Sequence, residues 1–470
     1  MSKERNRIIL ILVGFCVLFT ILIGYLSYFQ AFKAEAIKKN AYNKRLWLNE
    51  ENVLRGSITD RNGKILAYSE KDDKSTRRYY KYGNLYSHII GYSYREYGKA
   101  GLELEYNNAL LNINENTAIN EIKNLVLPNS VGNDLRLTID HGMQEKTRAL
   151  LNGRKGAAVV MNPKTGEIYS MVSLPDFNTS SLKDEWKAIS ENPDSPLLNR
   201  ATQGLYTPGS VFKIITAASA LETPNLDKNY RCAGTTVIDG YTFKDYNSKA
   251  HGELNLKSAF VKSCNTYFAE KSLIIGKDRL GNMADRFMIN NKIDFDLPVK
   301  TSQFPYKSNM GKTELAASAI GQGKILVTPL NMAMIASAIG NDGVMVKPIL
   351  VKEIINKDGK IIDSSRSEPI SSSINSLMAD ELKDMMMEVV QSGTGVNGRI
   401  RNVKVAGKTG TAENPSGKTH SWFVGFAPAN DPKMAVAVIL EESGLTGGKG
   451  AAPVARDIII YGLNNIKFSE

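Results

Sequence analysis

The chain opens on a nearly unbroken apolar run, Ile8 to Phe29, with no charge inside it. A run of that length predicts a helix able to cross a bilayer. Beyond it the pattern turns polar, and Lys33 to about Glu51 reads as a charged helix continuing from the apolar one. Short alternating segments follow. Arg55-Gly-Ser-Ile-Thr-Asp60-Arg-Asn62-Gly63-Lys-Ile-Leu-Ala predicts two strands joined at an Asn-Gly turn. Asp134-Leu-Arg-Leu-Thr-Ile-Asp140 predicts another strand.

From Ala157 onward, apolar strands alternate with apolar helices. Ala157 to Met161 and Ile168 to Ser173 read as a hairpin turning at Asn162-Pro163. Leu326 to Gly343 predicts a helix with Pro329 in its first turn and glycine after its end. A second helix, Glu381 to Val390, stops at Ser392-Gly-Thr-Gly395. Lys404 to Glu413 and Ser421 to Phe426 predict paired strands around Asn414-Pro-Ser-Gly417, then a strand from Met434 to Leu440 and a terminal helix from about Pro453 to Leu463. These segments divide the chain into a tail (1–7), an apolar anchor (8–29), an N-terminal pedestal (30–150) and one larger domain (151–470).

Composition changes the picture only in part. The 470 residues, 42% apolar and 23% charged, are a globular composition. Lys3, Arg5 and Arg7 precede the apolar run, which favours a cytoplasmic N-terminus. Lys33, Lys38 and Lys39 make the other flank basic too, so the charge rule alone does not decide, but large domains translocate largely regardless of charge and the remainder is expected outside. Ala34-Glu35-Ala36 has the form of a cleavage site, yet the run is longer than a signal core and Tyr28, Phe29 and Phe32 crowd the approach, so an uncleaved anchor is expected. Three cysteines, Cys16 among them in the apolar run, make no disulfide framework. Four histidines (His88, His141, His251, His420) lie far apart along the chain, and no metal site is expected. The formal charge of +11 suits an anionic envelope surface or a merely solvated basic face, and no nucleic-acid motif accompanies it.

The chemistry concentrates at Tyr206-Thr-Pro-Gly-Ser210-Val-Phe-Lys213-Ile-Ile-Thr-Ala-Ala-Ser-Ala-Leu221, which reads as a loop entering a buried helix. Residues three apart share a helical face, so Lys213 can turn its amine toward the Ser210 hydroxyl. A serine needs a base to act as a nucleophile near neutral pH, and lysine is a base only when neutral. With an ordinary pKa near 10.4, about one lysine in 10³ is neutral at pH 7, so the role requires a shift worth roughly 4 to 5 kcal/mol. Burial and a second cation both push that way. Ser-x-x-Lys alone is a weak signal, because Ser180 to Lys183 repeats it in a polar stretch. Two further motifs follow in order, Ser263-Cys264-Asn265 and Lys408-Thr409-Gly410. An earlier Lys-Thr-Gly at Lys164 precedes Ser210 and sits on the hairpin turn.

This ordered set is the one by which penicillin-binding proteins and class A β-lactamases are known. The chain resembles the class B penicillin-binding proteins along nearly its whole length, including Asn162-Pro-Lys-Thr-Gly-Glu-Ile, Gly321-Gln-Gly-Lys-Ile-Leu-Val-Thr-Pro-Leu and Trp422-Phe-Val-Gly-Phe-Ala-Pro428. The resemblance implies an α+β fold in which a penicillin-binding, serine β-lactamase-like transpeptidase domain, an antiparallel sheet flanked by helices, follows the pedestal and one transmembrane helix. It implies a D,D-transpeptidase that cross-links peptidoglycan stem peptides, takes β-lactams as covalent inhibitors and needs no cofactor.

By the same likeness, Ser210 is the nucleophile, Lys213 its base, Ser263 a proton relay, Asn265 the residue that orients Lys213 and the substrate amide, and Lys408 a second cation. Thr409, Gly410 and Thr411 form the substrate strand. With about 110 residues between the apolar run and Asp140, no glycosyltransferase domain of usual size is expected, so a membrane-embedded glycan polymerase becomes an expected partner. The rival readings are a D,D-carboxypeptidase, a serine β-lactamase, a β-lactam sensor and a silent scaffold. The class A Glu-x-x-x-Asn element is missing between Asn265 and Lys408, and the few residues before Ile8 leave no room for a signalling domain.

Overall fold

The structure, a computed structural model, describes residues 2–33, 53–72, 75–113 and 130–468. Ser2–Phe32 forms one helix, and within it Arg5–Phe32 is long and apolar enough to cross a membrane, with no part of that stretch buried by the rest of the protein. The charged helix expected after Lys33 falls on residues outside those described.

The larger domain is built on a five-stranded antiparallel sheet in the order Ile168–Leu174, Gly156–Met161, Met434–Leu440, His420–Ala427, Ala406–Ala412. The continuous apolar runs have a plain cause. Successive side chains point to opposite faces of a strand, and both faces here are covered. Ala435, Ala437 and Ile439 join one core with the helix Pro329–Gly340, while Met434, Val436, Val438 and Leu440 join another with the helices His141–Leu151 and Ala451–Asn465. Every residue of Pro329–Gly340 is buried, and the Thr328 hydroxyl caps it by accepting from Asn331 N.

The expected antiparallel sheet flanked by helices is therefore observed, with Lys408 on its edge strand. The helix expected from Glu381 starts earlier, at Ser376, because Asn375 caps it by accepting from Met378 N.

The pedestal carries a second, six-stranded sheet in the order Ile361–Ser364, Val351–Ile355, Asp134–Leu137, Ile58–Thr59, Ile65–Asp72, Ser75–Tyr80. Its first two strands come from the middle of the larger domain. Thus Leu135 pairs with Ile354 on one side and with Ile58 on the other. The boundary placed at residue 151 runs through shared structure rather than a linker, since His141–Leu151 also packs against the larger sheet. Arg55 and Glu103, from two stretches that offered no nucleophile, form a buried ion pair with Arg78. Arg55 Nε donates to Glu103 Oε2 at 2.5 Å and Arg78 Nε to Oε1 at 2.7 Å.

Candidate active site

Gly209–Phe212 makes a single 3-10 turn that runs directly into the helix Lys213–Glu222. Ser210 thus lies one turn before Lys213, as the spacing predicts, and is half-buried while Lys213 is fully buried. The loop is pinned from three sides. Tyr206 and Val327 exchange backbone hydrogen bonds, Gly209 N donates to Gly321 O, and the Trp422 indole donates to Thr207 O. The stretches around Gly321 and Trp422 therefore serve as braces for Ser210.

Ser263 joins two helices, Leu256–Lys262 and Asn265–Ile275, and adopts the left-handed conformation at φ 56°. Such a backbone is costly for a residue with a Cβ and persists only where its surroundings enforce it. Cys264 caps the second helix, its sulfur accepting from Tyr267 N. Asn265 is the first residue of that helix, and its side chain spans two elements: Oδ1 accepts from Lys213 Nζ at 2.7 Å, and Nδ2 donates to Lys244 O at 2.8 Å.

The two lysines meet at one hydroxyl. Lys408 Nζ lies 3.0 Å from Ser263 Oγ, and Lys213 Nζ lies 3.3 Å from the same atom. Lys213 makes two shorter bonds, both at 2.7 Å, to Ser263 O and Asn265 Oδ1. A neutral amine has two protons and one lone pair. Placing its protons on those two oxygens leaves the lone pair free for a hydroxyl. Burial lowers the Lys213 pKa to about 8. Lys408 is also pushed well below the ordinary lysine value, first by burial and then by the charge of Lys213. Burial and the neighbouring Lys213 charge thus work against the second cation expected at Lys408.

Thr409 and Thr411 lie on the outer strand, whose far side has no strand beside it among the described residues. Gly410 is required by a close approach. A Cβ there would stand 2.8 Å from Pro208 O and 3.0 Å from a Val211 methyl, so glycine lets the strand lie against the Ser210 loop. The two decoy motifs fall elsewhere. Ser180 Oγ donates to Tyr80 O while Lys183 pairs with Glu96 at the surface, and Lys164 to Gly166 form the turn held by Asn162.

Two features were not read from the sequence. Asp245, buried, accepts from Asn265 N and from the Thr266 hydroxyl, and so holds the start of the Asn265 helix from behind. Spacing along the chain predicted no metal site, but folding brings Cys232, Asp245, His251 and Cys264 together with their ligand atoms within 4.8 Å of one another. Two sulfurs, one imidazole and one carboxylate form a donor set that suits zinc. Burial pushes the Cys264 thiol up to about 12 and the His251 pKa down, and a divalent cation would deprotonate the thiol. The signal available in the sequence was the single run of two cysteines flanking one histidine within residues 232–264.

Two family descriptions match the chain: "Penicillin binding protein transpeptidase domain" over residues 156–460, and "Penicillin binding protein A dimerisation domain" over residues 55–133. The peptidoglycan D,D-transpeptidase PbpA of Mycolicibacterium smegmatis is 32% identical, covering 96% of this chain and 97% of that protein. MrdA of Acinetobacter baumannii, also a peptidoglycan D,D-transpeptidase, is 32% identical over 82% of this chain and 66% of its own length. The ceftriaxone acyl-enzyme of penicillin-binding protein A from M. tuberculosis superposes with a TM-score of 0.82 at 30% identity, covering 88% of this chain and all of the solved one. A D,D-transpeptidase domain from Eggerthella lenta gives 0.79 at 34% identity, over 88% and 99%.

Proposed function

Since this chain belongs to the penicillin-binding protein transpeptidases and is a serine D,D-transpeptidase of peptidoglycan, we propose that Ser210 is its nucleophile and Lys213 the base that activates it. The observation that carries this reading is the hydrogen-bonding of Lys213. Its two short bonds run to pure acceptors, which fix the amine and direct the remaining lone pair, and burial lowers the cost of losing the proton.

Ser210 attacks the carbonyl between two terminal D-alanines, and its proton passes to Lys213. The oxyanion forms against the backbone N–H groups of Ser210 and Thr411, each such donor being worth a factor of about 10² to 10³. Ser263, within reach of both amines, relays the proton to the leaving D-alanine. The terminal carboxylate docks against the hydroxyls of Thr409 and Thr411 beside Lys408, whose charge it restores. An amine of a neighbouring stem then attacks the acyl-enzyme, and the same groups run in reverse.

Transfer to an amine, rather than rapid hydrolysis, is supported by the absence of any carboxylate hydrogen-bonded to Ser210 or Lys213 among the described residues. The nearby carboxylate, Asp245, is taken up by Asn265 N and the Thr266 hydroxyl. The apolar N-terminal helix anchors the chain with the catalytic domain outside the membrane, and glycan strands are supplied by a separate membrane-embedded polymerase. The test is covalent labelling of the full chain with a fluorescent penicillin followed by peptide mapping. The label is expected on Ser210, to persist for minutes, and to vanish in Ser210→Ala. Label on another serine overturns the assignment, and turnover within seconds makes the protein a β-lactamase.

A further inference from the structure

The Ser392-Gly-Thr-Gly395 stretch, read from the sequence only as a helix stop, ends against the Lys408 strand. Thr394 Oγ1 lies 2.6 Å from Thr409 Oγ1. Building on the reading of Thr409 as a carboxylate-binding hydroxyl, we propose that Thr394 is a positioning residue that turns the Thr409 proton toward the substrate carboxylate.

The backbone around Thr394 is fixed from two directions. Gly393 N donates to Glu388 O and Val389 O, and Gly395 N donates to Val389 O, closing the helix Ser376–Gln391. A Cβ at position 393 would lie 2.6 Å from Val261 O, so the turn rests directly on the helix that ends at Ser263. On the other side, the Thr394 carbonyl faces Gly448, where a Cβ would stand only 2.5 Å from it. The side chain is exposed at the mouth of the site while Thr409 is only 5% exposed. Thr394 is thus a solvent-facing hydroxyl held on a rigid backbone against a buried one.

A hydroxyl has one proton to give and two lone pairs. If Thr409 donates to Thr394, it shows a carboxylate only lone pairs, and the two repel. With Thr394 donating instead, one lone pair of the Thr409 oxygen is satisfied from behind and its proton is free for the anion. The Thr394 oxygen is exposed and free to accept from solvent when it donates to Thr409, and each bond in such a chain polarises the next. Hydroxyl to carboxylate bonds are the stronger kind, so the direction of this one proton matters to the recognition of the donor stem.

The test is a double-mutant cycle on the full chain in detergent, reading the second-order rate constant for acylation by benzylpenicillin and by its methyl ester. Thr394→Val, which keeps the shape and removes the hydroxyl, is expected to slow acylation by benzylpenicillin about tenfold. Thr394→Ser stays within about twofold of the parent. Thr394→Val adds no further loss to Thr409→Val, and its effect disappears with the ester, which lacks the anion. Should Thr394→Val lower the melting temperature, Thr394→Ala at the same exposed position carries the comparison. An unchanged rate in Thr394→Val, or the same loss in both backgrounds and with both compounds, overturns the proposal. Full activity in Thr409→Val overturns the carboxylate role of Thr409 itself, a failure read separately from that of Thr394.

Discussion

Lys213 and Lys408 approach the same atom, Ser263 Oγ, from two different elements, one a helix and the other an edge strand. Two buried amines around one hydroxyl cannot both hold a full charge without a counter-ion. The arrangement therefore sets up a division of labour that substitution can expose.

Arginine keeps a positive charge but does not deprotonate. Lys213→Arg should lose as much acylation as Lys213→Ala, a fall of roughly 10² to 10⁴ for a lost general base. Lys408→Arg should retain more than Lys408→Ala. Rates for the four purified variants, with circular dichroism to show that each is folded, decide the matter. If arginine serves better at 213 than at 408, the two roles are exchanged.

The pH dependence follows from the lowered pKa of Lys213. With Lys213 as the proposed base, its neutral form is the one that acts, and its pKa is brought down to about 8 by burial. Acylation should climb about tenfold per unit as pH rises toward that value and level off above it. The climb should vanish in Lys213→Ala, whose residual rate has no such base to titrate. Stopped-flow acylation between pH 6 and about 9.5 measures this. A profile that falls with rising pH through the same range would falsify the neutral-lysine base.

Glu103 holds two buried guanidiniums, those of Arg55 and Arg78. Burial raises its pKa, but the two arginines outweigh burial and keep it below the ordinary glutamate value. Its stabilisation is thus present above the unfolded glutamate pKa and is lost as pH falls through the lowered one. Glu103→Gln at neutral pH leaves two buried cations facing an amide and should cost about 3 to 5 kcal/mol. Denaturant unfolding gives the number, and a loss below about 1 kcal/mol would mean that the arginines find other partners.

The Cys232, Asp245, His251 and Cys264 cluster predicts a response to zinc. Protein purified without chelator should carry the metal, and its removal should lower both the melting temperature and acylation, because Cys264 sits between Ser263 and Asn265 and Asp245 accepts from Asn265 N. Zinc should restore both in the parent but not in His251→Ala. Elemental analysis, thermal melts and acylation rates check each part. Metal-free protein with an unchanged melting temperature would mean that the four groups only hydrogen-bond to one another.

Motifs and periodicity made the candidate site and the larger sheet legible. Ser210 lies on the 3-10 turn that leads into the helix opened by Lys213, and the apolar runs at 157–161 and 434–440 are strands buried on both faces. Less was readable where burial surrounds an element or hardly touches it. Asn265–Ile275 is covered on several sides, with even Lys271 buried, so no apolar stripe marks it as a helix. Ile361–Ser364 is exposed throughout, so no alternation marks it as a strand. The metal-type cluster depends on contacts between residues up to 32 positions apart and has no local pattern.

The six-stranded sheet also fixes an order of events in folding. Ile58 needs Leu135 beside it, and Leu135 needs Ile354, whose synthesis comes 219 residues later. Pairings so distant in sequence are slow, since the loop between them must close before any contact rewards it. The first part of the chain to emerge waits with open strand edges, which invite pairing with other chains, until the middle of the catalytic domain arrives to cover them. Cutting the chain near residue 150 would leave Val351–Ile355 without Asp134–Leu137, so the half that carries the chemistry would keep an unpaired edge of its own.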